Sequence, residues 1–273
     1  MIQKSIDIWK DFNPSNSVVC RPRLTCYLIK RKKCIGAVVI LPGGAYERIS
    51  QRESEPVALR FTAAGYNAFV LDYSIRPQRF PKALQDICRS LTIIRQNAKG
   101  WKIDPDKVAV CGFSAGGHAA ASLGVFWQRK ELYHINGIDT DRVKPNALVL
   151  SYPVVSSGEF AHKVSIKNLL GENPSNEILE TVSLEKQVSS STPPVFLWHT
   201  IEDQSVPVEN SLLFASALRK HNVPFELHIY PQGAHGLALA TNDTSTESIK
   251  PDSHVAGWLD LCIQWLKIQF KEF

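Results

Sequence analysis

Short, strongly apolar runs of strand length recur along the chain, at residues 24–29, 34–41, 66–72, 108–111, 146–152, 194–199 and 225–230. Between most of them lie stretches whose apolar residues repeat every three or four positions. In 83–98, for example, Leu84, Ile87, Leu91 and Ile94 mark one helix face. The spacing predicts further helices over 54–64, ending at Gly65, over 209–221, and over 255–270. In that last helix Trp258, Leu261, Cys262, Trp265 and Leu266 would cover a sheet. A continuous apolar run such as 34–41 is the mark of a strand covered on both faces. Alternation of such strands with helices predicts an α/β fold: a mostly parallel central sheet with helices on both faces. The segment near 6–9 and the strand at 24–29 would form an antiparallel opening to the sheet, with a turn at Asn13-Pro14-Ser15-Asn16 between them. Asp104-Pro105-Asp106 reads as a turn feeding the next strand.

The alternation is interrupted chemically at Val108-Ala109-Val110-Cys111-Gly112-Phe113-Ser114-Ala115-Gly116-Gly117-His118. An apolar strand here runs into Gly-x-Ser-x-Gly, and Ala119, Ala120, Ala121, Leu123 and Val125 continue as a buried helix. A serine on such a strand-to-helix turn is lifted above the sheet edge. Small residues are needed at Gly112 and Gly116, where a Cβ would collide with the neighbouring strand or helix. The N-terminal N–H groups and the positive end of the following helix face the same point, which suits a developing oxyanion. The stretch resembles the nucleophile elbow of the α/β-hydrolase fold. That resemblance requires an acid and then a histidine to follow in chain order, each at the end of a strand.

Both requirements find candidates. The strand at 194–199 runs into Thr200-Ile201-Glu202-Asp203-Gln204-Ser205-Val206-Pro207, where Asp203 is the first choice for an acid that orients a histidine and Glu202 is its neighbour and competitor. The strand at 225–230 delivers Gly233-Ala234-His235-Gly236, a histidine between small residues on a loop. His118 falls on the elbow helix and His199 on a strand, while His221, His228 and His254 lack a matching loop, so His235 is the expected base.

The run 34–41 ends in Pro42-Gly43-Gly44-Ala45-Tyr46, a second glycine-rich turn after an early central strand. It resembles the glycine-rich loops of esterases and lipases, with Pro42 in place of a histidine of one pattern and Ala45 in place of the last glycine. That match implies an oxyanion hole built from the N–H groups of Gly44, Ala45 and Ala115. Together with Ser191-Thr192-Pro193-Pro194 and the Asp203-x-x-Val-Pro loop, these motifs make residues 38–239 resemble the esterase/lipase branch of the α/β-hydrolases, close to acetyl esterases that deacetylate carbohydrate. The resemblance implies a serine carboxylic-ester hydrolase, without cofactor or metal, acting on small-molecule esters with short acyl groups, acetyl on sugar above all. A serine peptidase of the prolyl-oligopeptidase type shares the arrangement, but the chain has no room for a propeller. A binding protein on a hydrolase scaffold would be expected to lose a triad member.

Length and composition bound the rest. The 273 residues are expected to form one domain, 1–273. Within it, 154–192 loses the sheet-forming pattern and reads as a small cap-like insertion over the strand ends, where ligands bind in such folds. No run of about eighteen apolar residues suggests a membrane span. The charged, alternating N-terminus does not resemble a secretory signal. Cys20, Cys26, Cys34, Cys88, Cys111 and Cys262 show no CxxC pair or metal spacing and fit reduced thiols in a cytoplasmic protein. The net charge of +5 is modest, and Lys30-Arg31-Lys32-Lys33 reads as a solvated hairpin loop, not a nucleic-acid site. The sequence leaves a homo-oligomer open.

Overall fold

Side chains of successive strand residues point to opposite faces, and in the central strands both faces are apolar. A computed structural model describes residues 1–11 and 21–272; the expected turn at 13–16 and Cys20 lie outside the described residues. The strands are β1 (Ile2–Asp7), β2 (Arg23–Leu28), β3 (Ile35–Leu41), β4 (Asn67–Asp72), β5 (Ile103–Phe113), β6 (Ala147–Ser151), β7 (Val195–Thr200) and β8 (Phe225–Tyr230). They make one eight-stranded sheet in the order β1-β2-β4-β3-β5-β6-β7-β8. β1 and β2 pair antiparallel, as do β2 and β4, and every pairing from β4 through β8 is parallel.

The alternation splits the core in two. Val39, Leu41, Val110, Leu148 and Leu150 pack on one side with the helices Lys82–Gln96, Ala115–Phe126 and Glu209–Lys220. Val38, Ile40, Ala109, Cys111 and Val149 pack on the other with Glu55–Ala63 and Trp258–Gln269. The parallel sheet covered on both faces is therefore the one that the apolar runs predict, and this is the α/β-hydrolase fold.

Several local expectations are corrected. The first strand is Ile2–Asp7, not 6–9, because an edge strand exposed along most of its length carries no apolar signal, whereas Ile8 and Trp9 are buried just beyond its end. Residues 30–33 are exposed but form no hairpin, since β4 lies between β2 and β3 in the sheet. Residues 104–106 are part of β5: the register passes from Ile35↔Ile103 to Ala37↔Val108, and Asp104 Oδ1 accepts from the Asp106 N–H at 3.1 Å inside the resulting bulge. Residues 255–270 are two helices, Ser253–Ala256 and Trp258–Gln269, and Leu261 is exposed, because the buried stripe runs through Trp258, Cys262, Trp265 and Leu266.

Residues 154–192 contain the helices Lys163–Leu170 and Asn176–Val182. Val154, Val155, Leu169, Val182 and Leu184 are buried, so the polar look of the segment conceals a packed underside.

Candidate active site

β5 delivers Ser114 with φ 53° and ψ −119°, a conformation that only a well-tied turn maintains. The ties are visible. Ser114 N–H donates to Ser151 O at 3.0 Å, and Ser114 O accepts from the N–H groups of His118 and Val154 at 3.1 and 3.0 Å. A Cβ on Gly112 would lie 2.2 Å from Gly116 O, and one on Gly116 would lie 2.1 Å from Leu41 O, so both positions must be glycine.

The loops after β7 and β8 bring the other two side chains to this serine. Ser114 Oγ lies 2.8 Å from His235 Nε2, and His235 Nδ1 lies 2.6 Å from Asp203 Oδ2. Asp203 Oδ1 accepts from the N–H groups of Ser205 and Val206, each at 2.9 Å. Burial pushes the Asp203 carboxyl up, but the hydrogen bonds from His199, His235 and the Val206 N–H outweigh it and hold the group well below the usual carboxylate range. Asp203 therefore stays ionised beside the imidazole. Glu202, the competing acid, turns away and accepts from Gly233 N–H at 3.2 Å, bracing the histidine loop instead.

His199, on β7 and fully buried, also meets this carboxylate. Its Nε2 faces Asp203 Oδ2 at 3.3 Å and Val206 O at 3.0 Å, two acceptors, and so carries the proton. Its Nδ1 then accepts from Ser211 Oγ at 2.8 Å. Its four-residue spacing from Asp203 in the sequence carries no signal, because the contact depends on how the loop folds back on the strand.

The turn after β3 lies against Ser114: a Cβ built on Gly43 would meet Ser114 Cβ at 2.9 Å. Gly44 has φ 129°, and a Cβ there would lie 2.1 Å from Arg48 O; Ala45 and Tyr46 follow in the left-handed region at φ 57° and 55°. Among the described residues, no acceptor takes the N–H groups of Gly44, Ala45 or Ala115. Three contacts fix this loop. Glu53 Oε2 accepts from Gly43 N–H at 2.7 Å, Asn168 Nδ2 donates to Ala45 O at 2.9 Å, and Tyr46 Oη lies 2.9 Å from His118 Nδ1. His118 Nε2 is 2.9 Å from Val182 O. Burial lowers the His118 pKa to about 4, so this imidazole is neutral and donates from Nε2.

Glu53, only 3% exposed, is the residue that sequence reasoning most clearly misses. Its Oε1 accepts from Tyr152 Oη at 2.7 Å, and Tyr152 Oη accepts in turn from Ala238 N–H at 2.9 Å. The Tyr152 ring packs edge-on against His235 with centroids 5.0 Å apart. A carboxylate in the polar run Ser50-Gln51-Arg52-Glu53-Ser54-Glu55 looks like any solvated acid in one dimension. Arg52, beside it, donates from Nε to Thr244 O at 2.6 Å and from Nη2 to Gly236 O at 2.9 Å, pinning the histidine loop.

Above Ser114 opens a cleft of about 350 Å³, whose walls include His162 and Val164 from the 154–192 segment, Arg48 and Arg52. Among the described residues, no group of three or more His, Cys, Asp or Glu side chains could hold a metal ion. The site is a buried serine in contact with an imidazole, beside a loop that offers backbone donors. Such an arrangement can generate a nucleophile, stabilise an oxyanion and shuttle one proton.

Comparison with known proteins agrees with this chemistry. The profile of the BD-FAE family matches residues 24–218, and that of the Dienelactone hydrolase family matches residues 179–269. Endo-1,4-beta-xylanase B of Butyrivibrio fibrisolvens is 39% identical over 87% of this chain and 38% of its own length. The Acetylxylan esterase of Xylanibacter ruminicola is 31% identical over 75% of this chain and 42% of its own. The chain thus spans about two fifths of the length of these curated relatives. The crystal structure of an acetyl ester-xyloside bifunctional hydrolase from Caldicellulosiruptor lactoaceticus superposes with a TM-score of 0.86 at 41% identity, covering 97% of this chain and 96% of that one.

Proposed function

The chain belongs to the BD-FAE family, and from that premise we propose that it is a serine carboxylic-ester hydrolase that removes short acyl groups, acetyl above all, from carbohydrate. The observation that carries the reading is the continuous contact Ser114 Oγ to His235 Nε2 to Asp203, at 2.8 and 2.6 Å. His235 takes the Ser114 proton as Oγ attacks the ester carbonyl. The N–H groups of Gly44, Ala45 and Ala115 receive the oxyanion, and His235 returns the proton to the departing alcohol. Water, activated by the same imidazole, then releases the acid from the acyl-enzyme. Asp203 stays ionised throughout and stabilises the imidazolium.

The names of the relatives speak of both esters and glycosides, and the site favours the ester. Glycoside hydrolysis ordinarily needs two carboxyl groups facing each other across the sugar. Here both oxygens of Glu53 and both of Asp203 are engaged by protein donors. The likeness to an acetylxylan esterase and to an acetyl ester-xyloside hydrolase supports acetylated sugar as the substrate class.

Acetate release from acetylated xylo-oligosaccharides, beside a series of p-nitrophenyl esters from acetate to palmitate, tests the proposal. Activity should peak at acetate, and Ser114→Ala should lower kcat on the order of 10⁶-fold with the fold intact. Wild-type activity in purified Ser114→Ala would overturn it.

A further inference from the structure

The cleft above Ser114 is lined by two arginines that the ester chemistry does not use. Arg48 and Arg52 both line it. Arg48 is exposed, and among the described residues it has no carboxylate partner. Arg52 is half-buried, and it donates to two neutral carbonyls, those of Thr244 and Gly236. The two acids of the same wall keep their charges but form no ion pair with either arginine among the described residues. Glu47 pairs with Arg76, and the Glu53 oxygens are occupied by Gly43 N–H and Tyr152 Oη. Two guanidinium groups without an ion-pair partner thus line the cleft, while the Glu53 oxygens turn to other donors, and such a pair of forks suits a planar carboxylate best of all.

Their position says which part of the substrate would carry it. Arg52 Nη2 bonds the carbonyl of Gly236, the residue after His235, and His235 is the group that hands a proton to the departing alcohol. Resting on the esterase reading above, we propose that this cleft selects esters whose alcohol part bears a carboxylate, as an acylated acidic sugar does. Arg48 and Arg52 are then specificity-determining residues, which bind the carboxylate and take no part in bond making.

The test compares kcat/KM for 4-acetoxybenzoate with that for the neutral 4-acetoxybenzamide, each normalised to its uncatalysed hydrolysis. At low ionic strength the ratio should favour the carboxylate by about tenfold, and salt near 0.5 M should bring it toward one. Arg48→Gln and Arg52→Gln should each lower the ratio several-fold. Arg52→Lys, which keeps the charge, should hold it; because a ratio is read, any loss common to both esters cancels. A ratio of one in the wild type, or one unchanged in both glutamine variants, overturns the proposal. So does a preference for p-nitrophenyl hemisuccinate over p-nitrophenyl butyrate in its place, which would put the anion on the acyl side. Failure to cleave either acetoxy ester would instead overturn the esterase reading. Calorimetry of Ser114→Ala with 4-hydroxybenzoate and 4-hydroxybenzamide reads the anion site separately: tighter binding of the former sustains it, and equal binding removes it.

Discussion

Tyr46 Oη donates to His118 Nδ1 across 2.9 Å, and this bond fastens the glycine-rich turn after β3 to the helix that follows Ser114. Because His118 Nε2 also donates to Val182 O, one neutral imidazole joins the turn, the elbow helix and the segment that begins at residue 154.

That bond has a pH dependence whose sign is fixed. An unfolded histidine takes up a proton near pH 6.5, whereas buried His118 does so only near pH 4. Between those values the unfolded chain binds more protons, so stability is full above about pH 6.5 and falls as the solution is acidified toward pH 4, by on the order of 3 kcal/mol for this group. His118→Gln, which does not titrate, should be less stable than wild type at pH 7.5. The gap should narrow steadily on acidification, as read by urea unfolding across that range.

Neighbouring residues of the turn after β3 should respond in opposite directions. Gly44→Ala places a Cβ 2.1 Å from Arg48 O at φ 129°, so the backbone must move and kcat should fall by about 10²-fold or more. Ala45→Gly removes a Cβ from φ 57° and should raise stability by up to about 1 kcal/mol. Thermal unfolding and steady-state kinetics on the two purified variants read both effects.

The hydrogen bonds around Asp203 predict a graded response. Asp203→Asn keeps the shape but favours the wrong imidazole tautomer, and kcat should fall on the order of 10⁴-fold. His199→Leu leaves the triad atoms in place but strips one donor from Asp203 and orphans the Val206 carbonyl. A loss nearer tenfold, in kcat more than in KM, is expected. Equal losses in the two variants would show that His199 does more than position the acid.

Glu53→Gln should destabilise the protein although it is nearly isosteric. Both carboxylate oxygens accept, from Gly43 N–H and Tyr152 Oη, and an amide NH2 must face one of those donors. A loss of about 1–3 kcal/mol is expected, with a lower melting temperature as the readout.

Legibility in the sequence divides along physical lines. The central strands were readable because burial on both faces forces unbroken runs such as those of β3 and β6, and the elbow was readable because backbone crowding forces glycine at 112 and 116. Ser114, Asp203 and His235 could be nominated from strand ends in chain order, and the fold brings those three together. Glu53, Tyr152 and His199 could not. Their roles depend on contacts between residues as much as 99 apart in the chain, which no local pattern encodes. β1 is not legible for the opposite reason: an exposed edge strand is under no demand to be apolar.

The order of strands at the heart of the sheet has a consequence for how such a protein can diversify. Ser114 follows β5 and Asp203 follows β7, with β6 hydrogen-bonded to both strands. Their separation is set by the ladder between those strands, not by the forty-odd residues of chain that travel from β6 to β7. Provided that Val154, Asn168 and Val182 keep their bonds to Ser114, Ala45 and His118, the rest of that excursion can lengthen, shrink or change its chemistry without shifting the ladder, so new pocket walls can be explored around the same three side chains.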